Sequence, residues 1–205
     1  MNSRIICPAV GDEHFIVEGI ASTRDAAGDP HLAPMGPIVD ASFDQLWLRP
    51  FRTSTTFANL QRTLCGVFHV VDDVELLARA AIGRIVPHEL RFLPPTSFPG
   101  DVLADACRWY AFRVEHIDDS AERITLECRV VERGVLQDFL GFQRAKHAVV
   151  EAAILATRAG ILSAETIQAE MERLAPLVAK TGGAAERRAF AMLQHYLAEQ
   201  REAPR

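Results

Sequence analysis

The segment LWLRPFRTSTTFANLQRTLCGVFHVVDD, residues 46–73, concentrates groups able to hold an anion. Arg49 and Arg52 flank Pro50 and Phe51, and four hydroxyl side chains follow in succession: Thr53, Ser54, Thr55 and Thr56. The apolar residues before Arg49 read as a strand, and Phe57, Leu60 and Leu64 recur at helical spacing. The hydroxyls therefore fall at the start of a helix. The first backbone N–H groups there have no internal acceptor, and the helix dipole favours negative charge. Guanidinium forks match phosphate oxygens. One reading is a phosphate site at a strand-to-helix junction. The other is an N-cap with spare hydroxyls and solvated arginines, because a single hydroxyl suffices to cap.

Other residues invite the same two-sided reading. In APMGPIV, Gly36 permits close approach of the backbone beside Met35, while Pro34 and Pro37 equally suit a β-bulge. His69 lies inside a strand, where it either faces a ligand or is a buried, hydrogen-bonded core residue. RAKHA sets Arg144, Lys146 and His147 in the first turns of a helix, where the dipole disfavours cations, so an anionic partner is one explanation. A solvated basic face, or a His147–Glu151 pair, is the other. Asp72 and Asp73 suit a helix cap better than a metal. The spacing shows no Ser-His-Asp or Cys-His arrangement. Cys7, Cys65, Cys107 and Cys128 form no C-x-x-C pair and read as small apolar residues.

The elements that must position these groups follow from pattern. FIVEGIASTR, HLAPMGPIVDA and FDQLWLRPF read as three strands with hairpin spacing, hence an antiparallel meander, with the prolines implying an edge. TSTTFANLQRT reads as a helix that Gly66 ends, GVFHVVDD as a strand, and DVELLARAAIG as a short helix. The proline-rich residues 84–101 read as a loop, a lid or a dimer arm. CRWYAFRVEHID and ERITLECRVVERG read as a long hairpin, in which only one of Trp109 and Tyr110 faces the core. After residue 139 the pattern changes to three amphipathic helices, the second capped by Ser163 and ended by Gly182 and Gly183. A β-rich body over residues 1–139 and a helical tail over residues 140–205 result.

The 205 residues are 49% hydrophobic and 24% charged, with a net charge of −5. No clustered Lys and Arg suit a nucleic acid, and no apolar run approaches the roughly 20 residues that span a bilayer. The N-terminal apolar stretch is too short for a signal peptide, so the expectation is a cytoplasmic protein.

The chain resembles the flavin-binding split-barrel proteins. Flavin reductases of that fold carry a K-D-T-x-x-N-L helix followed by a G-x-F-x-V-N strand. Thr56, Asn59 and Leu60 lie on the former and Gly66, Phe68 and Val70 on the latter, although the polar residue here falls at His69. The likeness is greater to a branch of unknown function in which an FMN-binding barrel carries a C-terminal helical tail. EGIASTRD, HLAPMGPIV, LRPFRTSTTFANL, GVFHVVDD and GFQRAKHAVVEAAILATR match it. The resemblance implies an antiparallel split barrel, non-covalent FMN, a homodimer and a small-molecule electron donor or acceptor. It implies that Arg49 and the turn from Pro50 and Phe51 through Thr53, Ser54, Thr55 and Thr56 hold the phosphate. Asn59, Met35 and Gly36 would lie nearer the ring, with His69 and Lys146 as further candidates. A flavin-dependent oxidoreductase, a flavin carrier and a binder of another phosphorylated molecule all fit these residues.

Overall fold

Two eleven-residue strands, β9 (Arg108–Asp118) and β10 (Thr125–Val135), are the axis of the β-rich part. They pair antiparallel around a short turn and are rich in β-branched and aromatic residues, which pack well on a pleated surface. The structure is a computed structural model describing residues 7–11, 13–93 and 98–202. The remaining strands are β1 (His14–Ile16), β2 (Gly19–Arg24), β3 (Pro30–Met35), β4 (Ile38–Asp40), β5 (Gln45–Leu48), β6 (Cys65–Val70), β7 (Phe92–Leu93) and β8 (Val102–Leu103). Eight of the ten strands form one antiparallel sheet, ordered β1-β4-β5-β10-β9-β6-β2-β3. It curls as the half-barrel of the split-barrel fold that the sequence implied.

The first three expected strands break in ways that the pattern hid. FIVEGIASTR divides at Val17 and Glu18 into β1 and β2, and HLAPMGPIVDA divides at Gly36 and Pro37 into β3 and β4. These breaks send β1, β4 and β5 to one end of the sheet and β2 and β3 to the other, so no simple meander forms. Pro34 does lie on an edge strand, where its missing N–H costs no ladder bond. The first helix, α1 (Thr55–Thr63), ends at Leu64 in the left-handed region, with φ +52°. Gly66 is instead inside β6, where an added Cβ would come within 2.8 Å of the Phe112 ring.

One face of the sheet packs around Leu46, Leu48, Phe68, Tyr110, Phe112 and Leu126, with Phe57 and Leu60 of α1. The opposite face packs Val67 and Ala111 against Phe98 and Val102. The proline-rich residues 84–101 are thus more than a loop: they include a 3-10 turn at Pro87–Glu89 and β7, which pairs with β8. Residues 94–97 lie outside the described residues. Tyr110 faces the first core, and Trp109 lies on the other face beside Val67.

His69 is fully buried on that second face. Its Nδ1 donates to the Ile20 carbonyl at 3.1 Å, and its Nε2 accepts from the Leu103 N–H at 3.1 Å. The imidazole is therefore neutral and both nitrogens are occupied.

A second unit gathers α2 (Val74–Ala81), α3 (Arg144–Ala156), α4 (Ala164–Thr181) and α5 (Ala184–Glu202). Residues 72–85 join the tail helices, so the division of the chain is residues 1–71 with 86–139, and residues 72–85 with 140–205. Asp73 caps α2, accepting from the Glu75 and Leu76 N–H groups. Ser163 caps α4 and Gly182 ends it. Ala145, Ala148, Ala152, Ala153 and Ala156 are buried along α3, and these small side chains let its neighbours approach closely. Among the described residues no helix is long and apolar enough to cross a membrane.

Burial lowers the folded-state pKa of His69 from 6.5 to about 4. The unfolded chain binds the proton first, so the stability this residue contributes is complete above pH 6.5 and is lost as pH falls towards 4. The expected loss is about 3 kcal/mol across that window. Urea titrations between pH 7 and 4 measure it. His69→Gln, which does not titrate, should flatten the slope; an unchanged slope would show that other groups set the acid limit.

Candidate functional site

The turn between β5 and α1 is fastened from one side. The Pro50 carbonyl accepts from the Ile124 N–H at 3.1 Å, the Arg52 N–H donates to Glu122 O at 3.1 Å, and Arg123 donates to Arg49 O at 3.1 Å. The Arg123 guanidinium also stacks 4.2 Å over the Phe51 ring. Arg52 is committed to the same β9–β10 turn: it donates to the Asp119 and Ala121 carbonyls and lies 3.7 Å from the Asp119 carboxylate. Of the two arginines singled out in the sequence, one is therefore a structural clamp. Arg49 is the other kind. It is exposed, and its guanidinium makes no hydrogen bond or ion pair with another described residue. Its charge reaches Cys7, whose thiol is nevertheless raised above its ordinary pKa by burial.

The four hydroxyls divide by position. Ser54 is the N-cap, accepting from the Phe57 N–H at 3.2 Å. Thr53 and Thr55 are exposed beside it. Thr56 points inward: it is buried, with Oγ1 3.5 Å from Nε2 of His31 on β3. Asn59, one turn on and also buried, donates to Thr23 Oγ1 at 3.0 Å. The outer side of the α1 N-terminus thus presents Thr53 and Thr55 with the first helical N–H groups, and Arg49 is exposed in the turn that leads to it. The inner side is a polar cluster of Thr23, His31, Thr56 and Asn59 that ties α1 to β2 and β3. Burial lowers the His31 pKa, with Asp25 opposing it. His31 and Thr23 escaped the reading of the sequence. The signal was the DAAGDP turn, whose register sets Thr23 opposite His31.

Met35 and Gly36 lie where β3 gives way to β4. An added Cβ at Gly36 would come within 2.8 Å of the Glu18 carboxylate and 3.0 Å of Ile16, so close packing alone accounts for a glycine there. His69 has no nitrogen left for a ligand, for the reason given above. Lys146 is on α3 in the helical unit and is paired with Asp72, both side chains largely buried. That pair explains a cation in the first turn of a helix, since Asp72 supplies the compensating charge. His147 reaches Glu151 at 3.9 Å.

A family model described as protein of unknown function (DUF447), N-terminal domain, matches residues 17–137. A second, described as protein of unknown function (DUF447), matches residues 143–195. No curated protein matches the chain. Among solved structures, an FMN-bound protein of the DUF447 family from Methanosarcina mazei is 25% identical, with 88% of this chain and 94% of that chain covered and a TM-score of 0.77. An FMN-binding protein from Thermus thermophilus, with 1-cyclohex-2-enone bound, is 14% identical over 66% of this chain and 80% of that one, at a TM-score of 0.50. The 2-nitrobenzoate 2-nitroreductase of Pseudomonas fluorescens is 15% identical over 62% and 66%, also at 0.50. The latter two show the fold alone. With both models matched over most of its length and the split-barrel architecture in place, the chain belongs to the DUF447 family.

Proposed function

We propose that the protein binds FMN non-covalently, holding the phosphate at the N-terminus of α1. The observation that carries this reading is the family member from Methanosarcina mazei, which shares the architecture over 88% of this chain and is FMN-bound. The residues present fit the group. A phosphate dianion requires donors without other acceptors, and Arg49, Thr53, Thr55 and the free N–H groups of α1 are of that kind. Thr56 and Asn59 act from behind, fixing the helix against β2 and β3. Bound FMN supplies hydride or electron transfer, and the chain supplies position and hydrogen bonds. We read the protein as a flavin-dependent oxidoreductase with a small-molecule electron donor or acceptor. Cys65 and Cys128 are in no disulfide, which suits a reducing, cytoplasmic compartment.

A homodimer is part of the same proposal. Val135, Leu136, Phe139, Leu140 and Phe142 are all exposed within eight residues, and Leu140 and Phe142 are almost fully so. Such a density of exposed apolar side chains is characteristic of an association surface. A second copy of the chain is the occupant we favour, because two-fold dimers are the commonest oligomers.

Protein purified or reconstituted with FMN should show flavin absorbance, and anaerobic addition of NADH or NADPH should bleach it. Retained colour with no bleaching by either would favour a flavin carrier; absence of any flavin binding would remove the proposal. Arg49→Ala should weaken FMN binding by about 1.5–3 kcal/mol, the range for hydrogen bonds to charged groups. Thr55→Ala should cost less, and Arg52→Ala least, because its guanidinium is spent on the β9–β10 turn. Fluorescence titration ranks the three, and an Arg52 effect larger than that of Arg49 would reverse their assigned roles.

Light scattering at micromolar concentration should give twice the chain mass of 22.7 kDa. Phe142→Ser with Leu140→Ser should shift the species towards the single chain. A wild-type species near 22.7 kDa that still holds FMN would show that one chain builds the whole site.

A further inference from the structure

The helical unit contains a cavity of about 870 Å³ between the turn at residues 159–163, the start of α4 and the end of α5. That is within the range of small-molecule pockets, roughly 300–1,000 Å³. It forms where two helices joined by a tight link at Gly182 and Gly183 reach their open end. Its lining includes Ala164, Ala175 and Ala198, whose side chains are too small to fill the space. Ile167, Met171 and Leu197 give it an apolar floor, and all three are otherwise buried. Ile161 stands at its edge 68% exposed, so an occupant that covered it would remove apolar surface from water.

The polar groups of the wall are unevenly distributed. Gln168 donates to Glu172 at 2.7 Å, so the one acid among the described residues of the wall is already engaged. Glu172 is also eight residues along α4 from Ala164, about 12 Å from the mouth. Arg201 lines the mouth, within electrostatic reach of Glu165 in the first turn of α4. The Arg201 guanidinium has no hydrogen bond or ion pair with another described residue. A cation whose hydrogen-bond donors are unused, at one end of an apolar slot, suits a molecule with an anion at one end and a hydrocarbon body.

We infer that this cavity is a binding site for an apolar carboxylic acid of medium length, its carboxylate on Arg201 and its chain along Ile167, Met171 and Leu197. The site stands on the helical unit alone and does not depend on the flavin proposal. Charge complementarity favours a small amphipathic acid over a second protein copy, because Arg201 donates no hydrogen bond to an acid among the described residues and can still take a carboxylate.

Calorimetric titration of the full chain with decanoate, below its micelle concentration and at pH 7.5, tests this against decanol. Decanoate should bind at least tenfold more tightly than decanol. Arg201→Gln should remove that difference while leaving decanol unchanged. Ala198→Trp should weaken both at least tenfold; Ala198 is exposed, so the larger side chain enters the cavity and not the core, and circular dichroism should be unaltered. Equal affinity for the two probes, no binding of either at millimolar concentration, or unchanged decanoate binding in Ala198→Trp overturns the inference. So does a change of Ala198→Trp from dimer to monomer, which would assign the groove to self-association.

Discussion

A phosphate can be held at a helix N-terminus only by donors that no other acceptor has claimed, and the binding mode proposed for residues 49–59 rests on that condition. The chain meets it by dividing labour among similar side chains. Arg52 and Arg123 are spent on fixing the turn against β9 and β10, which leaves Arg49 unclaimed. Ser54 closes the helix end and Thr56 anchors its inner side, which leaves Thr53 and Thr55 facing outward. Fastening the turn removes its backbone entropy on folding, so that binding has only the Arg49 side chain left to order.

The rest of the first unit serves that arrangement. The β9–β10 hairpin is long enough to pair with β5 on one side and β6 on the other, so it fixes both strands that flank α1. His69 adds rigidity from the opposite face, joining β2 to the segment leading into β9 through two backbone bonds. A histidine suits that place because its neutral ring offers one donor and one acceptor in opposite directions. The cost is that the ring must stay uncharged, which links the fold to pH.

Much of this was legible in the sequence, and the failures have physical causes. The long hairpin, the cap at Ser163, the stop at Gly182 and the strand-to-helix junction at Thr53–Thr56 depend on local chemistry, so local pattern revealed them. The sheet order did not follow, because the breaks at Glu18 and at Gly36–Pro37 are short and the chain crosses the sheet there without a change in composition. Lys146 and His69 looked like ligand-binding candidates because a cation in a first helical turn and a polar residue in a strand are both unfavourable in isolation. Their partners, Asp72 and the backbone at Ile20 and Leu103, are distant in sequence and so invisible to spacing. The inclusion of α2 in the helical unit was hidden for the same reason. The resemblance named the fold and the flavin, while the distinction between Arg49 and Arg52 needed coordinates.

In the proposed binding mode the phosphate, and not the ring alone, is recognised. Calorimetric titration of the wild-type apoprotein with FMN and with riboflavin tests it most directly, since the ligands differ only in that group. FMN should bind more tightly by about 1.5–3 kcal/mol, roughly 10- to 150-fold, with the difference shrinking as salt is raised. Equal affinity for the two at low salt would contradict it and move the phosphate away from the α1 N-terminus.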